Sequence, residues 1–392
     1  MIWLSGFLVA IGVLVPVAVF VGYPLALLLA SRLQRETPVA AATSGLLPSV
    51  TLVVVARNAA ALVTEKLRNF QSLDYPPRLL ELVLFSDGSE DDTVALVRKF
   101  GDERIRLLVS ADHVGKFTGL NRAVAAARND LLVFSDVDAH LTPDALSHLV
   151  RPLADPVVGG VCGQRLLRRE CNPLAAAQGS YIDFDSRIKQ LESRIGSITS
   201  NDGKLYAIRR ELFTPVPGGV TDDLFQSLGV IGQGRRFLFE PRAIATITVP
   251  SRNPAHEVRR RRRIVARSLR SLWFHRRLLN PFHSGWYAVG LGVNKGWRRL
   301  LPLALGGLPV GAAGLAASGI PAWWGVVVLL GAGLAAGLLQ PVLCPPERTG
   351  GALGRLLGKG RYVLLGLAGT HLGLMDFLRG RVPDRWDPVK QG

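Results

Sequence analysis

From Ile2 to Ala30 the chain carries no charged side chain. In hydrocarbon every backbone N–H and C=O must find its partner within its own segment. A run of this length and composition therefore predicts a membrane-spanning helix. It lacks a basic leading region and is longer than the apolar core of a signal peptide, which predicts an uncleaved anchor. Arg32 and Arg35 follow at once, and the positive-inside rule puts that end on the cytoplasmic side. Glu36 to Leu47 is a small-residue linker. Two more apolar runs, Leu300–Gly319 and Ala322–Leu343, meet at the turn Gly319-Ile320-Pro321 and predict a helical hairpin. Arg298 and Arg299 before it, and Arg348, Arg355, Lys359 and Arg361 after it, keep both flanks inside. Tyr362–Leu378 is shorter and holds His371 and Asp376; it reads as either a third span or a re-entrant segment. Trp286, Tyr287, Lys295 and Trp297 predict an interfacial amphipathic helix ahead of the hairpin.

Between these ends lies a water-soluble pattern. The formal net charge is +17, and only eight of the 47 basic residues are lysine. Arginine excess fits phosphate recognition and equally a codon bias. Cys162, Cys171 and Cys344 are few, odd in number and not in a metal spacing, which excludes a disulfide framework and fits a reducing compartment. Val-rich Ser49–Arg57, then Leu80–Ser86, Arg104–Ser110 and Leu131–Ser135 read as strands. Ala59–Ser72, Asp92–Phe100 and Gly115–Arg128 read as the helices between them. Such alternation predicts a parallel, helix-covered sheet; after Thr142 it becomes less regular.

The fourth strand runs into Ser135-Asp136-Val137-Asp138. Side chains two apart on an extended segment share a face, so Asp136 and Asp138 can meet one Mg²⁺ or Mn²⁺; the alternative is a pair of solvated strand-end acids. Asp87, closing the second strand, can accept from a base or a ribose hydroxyl, or can simply serve its turn. Lys116 behind Gly115 can meet a phosphate or be a solvated helix-end lysine. Asp222 and Asp223, after Thr221, are helix-start acids, or one is a general base with raised proton affinity. Of the run Arg259–Arg263, Arg260 and Arg263 lie on one helical face and suit a diphosphate; the remainder are expected near lipid headgroups. No nucleic-acid module is recognisable.

In this order the motifs resemble those of the family 2 glycosyltransferases with the GT-A fold, over about residues 48–275. The segment Val53–Asn58, with Ala56 and Asn58 at its end, is similar to the family's first strand and loop. Asp87-Gly88-Ser89 with Asp91-Asp92-Thr93 resembles its nucleoside-binding motif, and Gly115-Lys116 with Leu120-Asn121 its helix near the nucleotide. Asp136-Val137-Asp138 resembles the metal-binding Asp-x-Asp, Thr221-Asp222-Asp223 the segment whose last Asp is the base, and Arg260–Ile264 the Gln-x-x-Arg-Trp motif near diphosphate and acceptor. Gly203, Tyr206-Ala207, Arg209-Arg210, Glu240-Pro241 and Trp386 also fit the bacterial membrane-bound branch. Departures are Ala59 where the family often has Glu, Asp222 for Glu, Arg260 for Gln and Ile264 for the Trp that stacks an acceptor sugar in processive synthases.

The resemblance implies a mixed α/β GT-A domain, Rossmann-like, at 48–275. It would be flanked by an anchor (1–30), a linker (31–47), an interfacial segment (276–299), a membrane region (300–378) and a tail (379–392). It implies inverting transfer of a sugar from a nucleotide-sugar, expected to be a UDP-sugar, to a lipid-linked or glycan acceptor at the cytoplasmic face of the cell inner membrane, with Asp223 as base, Arg260 and Arg263 at the diphosphate, and Mg²⁺ or Mn²⁺ on Asp136 and Asp138. Ala56, Asn58, Asp87, Lys116 and Asp136 would meet the nucleotide. Single transfer is favoured over a processive synthase with its own channel. An inactive nucleotide-sensing scaffold would tend to have lost these acids, and a nucleotidyltransferase would carry a Gly-rich basic first loop.

Overall fold

The structure is a computed structural model that describes residues 1–33, 47–168, 173–247, 253–343 and 352–381. Most of the linker, Cys171, Cys344, Arg348, Trp386 and nearly all of the tail lie outside the described residues.

The anchor comprises α1 (Ile2–Val17) and α2 (Tyr23–Leu33), joined without a break by a π-turn at Ala18–Gly22. The soluble part then runs β1 (Val50–Ala56), α3 (Ala60–Gln71), β2 (Leu80–Asp87), α4 (Thr93–Phe100), β3 (Ile105–Ser110), α5 (Lys116–Ala126) and β4 (Leu131–Phe134). The strand and helix expectations up to this point are met to within a residue or two. The irregular half follows: β5 (His140–Leu141), α6 (Ala145–Val150), β6 (Val158–Leu167), α7 (Pro173–Ile195), β7 (Tyr206–Arg209), α8 (Asp222–Gly232) and β8 (Arg236–Ile247). All eight strands form one sheet in the order β3-β2-β1-β4-β7-β6-β8-β5.

The first four ordered strands are parallel, with Val53 opposite both Val83 and Phe134. At β7 the direction reverses: Phe134 pairs antiparallel with Tyr206. The mixed sheet is as expected, and its reversal sets β7 beside the carboxyl end of β4. Every residue of β1 is buried because helices cover both faces. Val50, Leu52, Val54 and Ala56 face α3, α4 and α6, whereas Val53 and Val55 face α5 and α8. The alternate sets fill two separate cores, which fixes the register of the strand.

The chain then enters α9 (Pro254–Phe274), α10 (Pro281–Leu291), α11 (Arg298–Ala317), α12 (Trp323–Leu343) and α13 (Ala352–Leu378). Among the described residues three helical stretches are long and apolar enough to cross a membrane: Ile2–Leu33, Pro281–Ala317 and Trp323–Gln340. The segment expected to be a separate interfacial helix is thus continuous with α11, through a π-turn at Gly292–Trp297 and a kink at Gly285. Trp286 and Trp297 are exposed, as an interfacial belt requires, whereas Tyr287 turns inward against the core and donates to the Ile198 carbonyl.

α13 is not among those three stretches. It lies along α9, where Gly369 and Gly373 leave no room for a side chain: a Cβ at Gly373 would sit 2.5 Å from the Arg262 carbonyl oxygen. Arg262 is ion-paired to Asp376, and Arg261 donates to Tyr362 Oη at 2.9 Å. These two arginines, expected near headgroups, thus also have partners within the protein, an acid and a phenol on α13, and Arg262 stays half exposed. Likewise α1 meets α11 through small residues, and a Cβ at Gly311 would be 2.6 Å from the Ser5 carbonyl oxygen. Such close backbone approach is how helices associate when lipid supplies no hydrophobic drive. Gly373→Val is expected to force α13 off α9 and destabilise the protein by about 1–3 kcal/mol, read as a lower Tm in detergent.

Candidate active site

The carboxyl ends of β1, β2 and β4 form one edge, the place where open α/β sheets take ligands. At β1, Ala56 is fully buried. Asn58 takes a left-handed backbone, φ 46°, and its Oδ1 accepts from Glu90 N at 2.9 Å, tying the first loop to the second. At β2 the Asp87 carboxylate is fully buried. Its oxygens accept from Val114 N (2.8 Å) and Gly115 N (3.0 Å), and His113 Nδ1 lies at 2.9 Å. Asp87 therefore shapes the 113–115 loop that starts α5. Gly115, at φ 92°, makes the turn that a Cβ would strain, and so sets Lys116 at the helix start.

Lys116 Nζ lies 3.1 Å from Asp136 Oδ1 and 3.0 Å from Asp222 Oδ2. It joins the strand-end acids to the Thr221 turn, which is remote in sequence. On the other side Lys204 Nζ lies 2.9 Å from Asp136 Oδ2 and 2.9 Å from Asp138 Oδ1. The Asp136 and Asp138 carboxylates thus converge on a single cationic centre, here an ammonium. That is the test a divalent-cation site must pass, and the pair passes it. Two carboxylates would leave most of an octahedral shell to water and substrate oxygens, as Mg²⁺ prefers. Among the described residues no cluster of three or more His, Cys, Asp or Glu side chains is arranged to hold a metal.

Beneath the pair lies Lys66, almost wholly buried. Its Nζ donates to Ser135 Oγ (2.9 Å) and to the Ala139 carbonyl (2.7 Å), so it clamps the loop from both ends. Burial pulls its pKa down to about 7, against the attraction of Asp138 and Asp136. Lys66 and Lys204 both escaped the sequence reading. Lys66 sits on the apolar face of α3, where a charge signals a buried partner. Lys204 gains meaning only once β7 is known to pair with β4.

Asp223 opens α8, where its Oδ1 accepts from Leu224 N at 2.7 Å. A Cβ on Gly203 would stand 3.3 Å from its Oδ2, so glycine leaves that oxygen its space. Burial, then the neighbouring Asp222 charge, push the Asp223 pKa up to about 6. Asp223, Arg260 and Ile264 line one cavity of about 190 Å³ with residues of α7, α11 and α13. The two candidate arginines part company. Arg260 Nε donates to Glu257 at 3.1 Å and faces that cavity. Arg263 lies in the field of Asp136 and Asp222, and its pKa is lowered by burial and by Arg260.

Residues 48–266 match the family model described as glycosyltransferase-like family 2. A beta-monoglucosyldiacylglycerol synthase of Synechocystis sp. is 28% identical over 211 residues, covering 50% of this chain and 44% of that protein. An O-antigen chain rhamnosyltransferase of Salmonella typhimurium is 27% identical over 209 residues, 50% of this chain and 65% of that one. The chain thus matches less than two thirds of either relative's length. Among solved structures, a mannosyltransferase from Pyrobaculum calidifontis in complex with GDP-Man and Mn2+ superposes with a TM-score of 0.71 over 95% of this chain and 99% of that one, at 26% identity.

Lys66→Met removes both loop clamps. It is expected to cost about 1–3 kcal/mol and to raise amide hydrogen exchange across 135–139 more than elsewhere.

Proposed function

The chain belongs to glycosyltransferase family 2, and from that premise we propose that it moves a sugar, with inversion, from a UDP-sugar to a lipid-linked or glycan acceptor at the cytoplasmic face of the inner membrane, with residues 48–275 as the catalytic domain. The observation that carries this reading is the Lys116 ammonium, which draws Asp136 and Asp222 to within 3.1 Å and 3.0 Å of one nitrogen. Lys116 thereby ties the strand-end acids to the turn that carries Asp222 and, next to it, the raised-pKa Asp223.

In this proposal Asp136 and Asp138 would hold a divalent cation, Mg²⁺ or Mn²⁺, which when bound supplies Lewis-acid neutralisation of the donor diphosphate. The nucleoside lies over the carboxyl ends of β1 and β2, against Asn58 and the loop that Asp87 holds, with Ala56 buried beneath that loop. Arg263 faces the diphosphate, where a guanidinium stabilises charge as it develops; Lys116 serves the same phosphates. Arg260 stands on the acceptor side, on the cavity lined also by Asp223. Asp223 takes the proton of the acceptor hydroxyl. That oxygen forms the new bond to the anomeric carbon as the bond from carbon to the diphosphate oxygen breaks, and the nucleoside diphosphate leaves with the electron pair. Ile264 lines the cavity where a processive synthase would present a stacking tryptophan, which supports single transfer.

Asp223→Asn is expected to lower transfer by about 10²-fold or more while donor binding persists; wild-type turnover would remove Asp223 from its role. A raised acid pKa means that the base is lost earlier on acidification. Rates are accordingly expected to halve near pH 6, to be level from about one pH unit above that value and to fall about tenfold per unit well below it, with that limb absent from the Asn variant. Chelation by EDTA is expected to abolish transfer and Mn²⁺ or Mg²⁺ to restore it, measured with a panel of labelled nucleotide-sugars and membranes.

A further inference from the structure

The cavity that Asp223 shares with the membrane helices is strongly cationic. Some of its charge is matched: Lys189 pairs with Asp185 at 2.8 Å, Arg165 lies 3.3 Å from Asp202, and Arg260 and Arg261 share Glu257 at 3.1 Å each. Lys295 and Arg299 are not matched. Among the described residues neither forms an ion pair with a carboxylate; Lys295 Nζ donates to the neutral Ser200 Oγ at 2.7 Å, and Arg299 Nε is buried without a hydrogen-bond partner. Arg299 is 9% exposed although it begins a membrane-spanning helix, where an arginine ordinarily reaches out to headgroups. Both feel the charge of Asp185, but that carboxylate is already bonded to Lys189, so one acid faces three cations; buried charge so poorly balanced is costly and calls for a further anion.

Three observations narrow that anion. The cavity is lined by neither Asp136, Asp138 nor Arg263, so it is not the seat of the donor diphosphate. Lys295 and Arg299 fall within the apolar helical stretch Pro281–Ala317, just ahead of its uncharged run from Leu300, so an anion that reaches them comes on a lipid, and the anionic group most membrane lipids carry is a phosphate. Guanidinium geometry matches phosphate oxygens. Asp223 lines the same cavity; a headgroup merely resident there would have no use for a base.

We propose that this cavity receives the phosphate of a phosphate-bearing lipid acceptor, held by Lys295 and Arg299, with the acceptor's hydroxyl presented to Asp223. The assignment of acceptor class rests on the catalytic reading above. The phosphate seat rests on the charge count alone.

The test uses the full chain in phosphatidylcholine nanodiscs, without donor. Dodecyl phosphate is expected to raise the Tm where dodecanol does not. The gain is expected to vanish in Arg299→Gln and Lys295→Gln and to survive in Asp223→Asn. Equal stabilisation by dodecanol, or an undiminished gain in both Gln variants, overturns the proposal. With donor and membrane extract supplied, dodecyl phosphate is expected to compete with the acceptor. Both Gln variants are expected to raise the acceptor KM about tenfold or more with the donor KM unmoved. Stabilisation matched by phosphatidylglycerol, with no competition, would make the cavity a headgroup seat and overturn the acceptor assignment. Wild-type transfer to diacylglycerol by Arg299→Gln would do the same while leaving the transferase reading intact. Binding that persists in a protein transferring nothing to any acceptor would instead sink the catalytic reading and, with it, the acceptor role.

Discussion

Asp136, Asp138 and Asp222 are brought together from segments remote in sequence, and carboxylates that close repel unless cations lie between them. Lys116 and Lys204 are those cations. Each bridges two acids at 2.9–3.1 Å, and their arrangement explains much of the local architecture. Asp87 holds the loop from which Lys116 departs; β7 pairs antiparallel with β4 and so carries Lys204 to the opposite flank. Burial first, and the Asp222 charge second, raise the proton affinity of Asp223, against the weaker pull of Lys116.

What the sequence disclosed follows from how local each signal is. The strands and helices up to β4 could be placed to within a residue or two, because their apolar runs and turn residues are contiguous. The paired acids after β4 stand out for the same reason. Lys204 could not be found in this way: its meaning depends on an antiparallel pairing between strands about seventy residues apart. The partners of the arginine run were hidden for a related reason. On a bare helix five guanidiniums look like a lipid-facing ring, yet Arg261 and Arg262 find Tyr362 and Asp376 on α13 more than a hundred residues later. Arg298 and Arg299 read as topogenic flanks. In the fold both turn inward, Arg298 to lie over the rings of Phe20, Tyr181 and Phe184.

These inward arginines bear on how the membrane part and the catalytic part communicate. Glu192 of α7 is buried and accepts from Tyr23 of the anchor and from Thr199, and Asn294 donates to Thr199 Oγ1 at 2.8 Å. Anchor, catalytic core and the entry to α11 therefore share one hydrogen-bonded knot, and α9 is clamped by α13 on its other side. A sheet tethered only by a flexible linker could adopt many heights above the bilayer. Here buried polar contacts, which are costly to break, hold the helices against α7 and α9, the two helices that also line the cavity at Asp223.

That constraint limits what an acceptor can look like. A growing neutral glycan needs a path lined by aromatic faces and uncharged hydrogen-bonding groups, along which it can slide. This cavity offers Ile264 where stacking would be wanted, and Lys295 and Arg299 where sliding would be hindered by charge. Fixed cations favour a ligand that arrives with one anionic group at a fixed distance from its hydroxyl and leaves after one turn of chemistry. A phosphate seat of the proposed kind would measure its substrate from the membrane inward, setting the depth at which a hydroxyl meets the carboxylate of Asp223. Its selectivity then comes from the spacing between the two groups rather than from recognition of a repeating sugar.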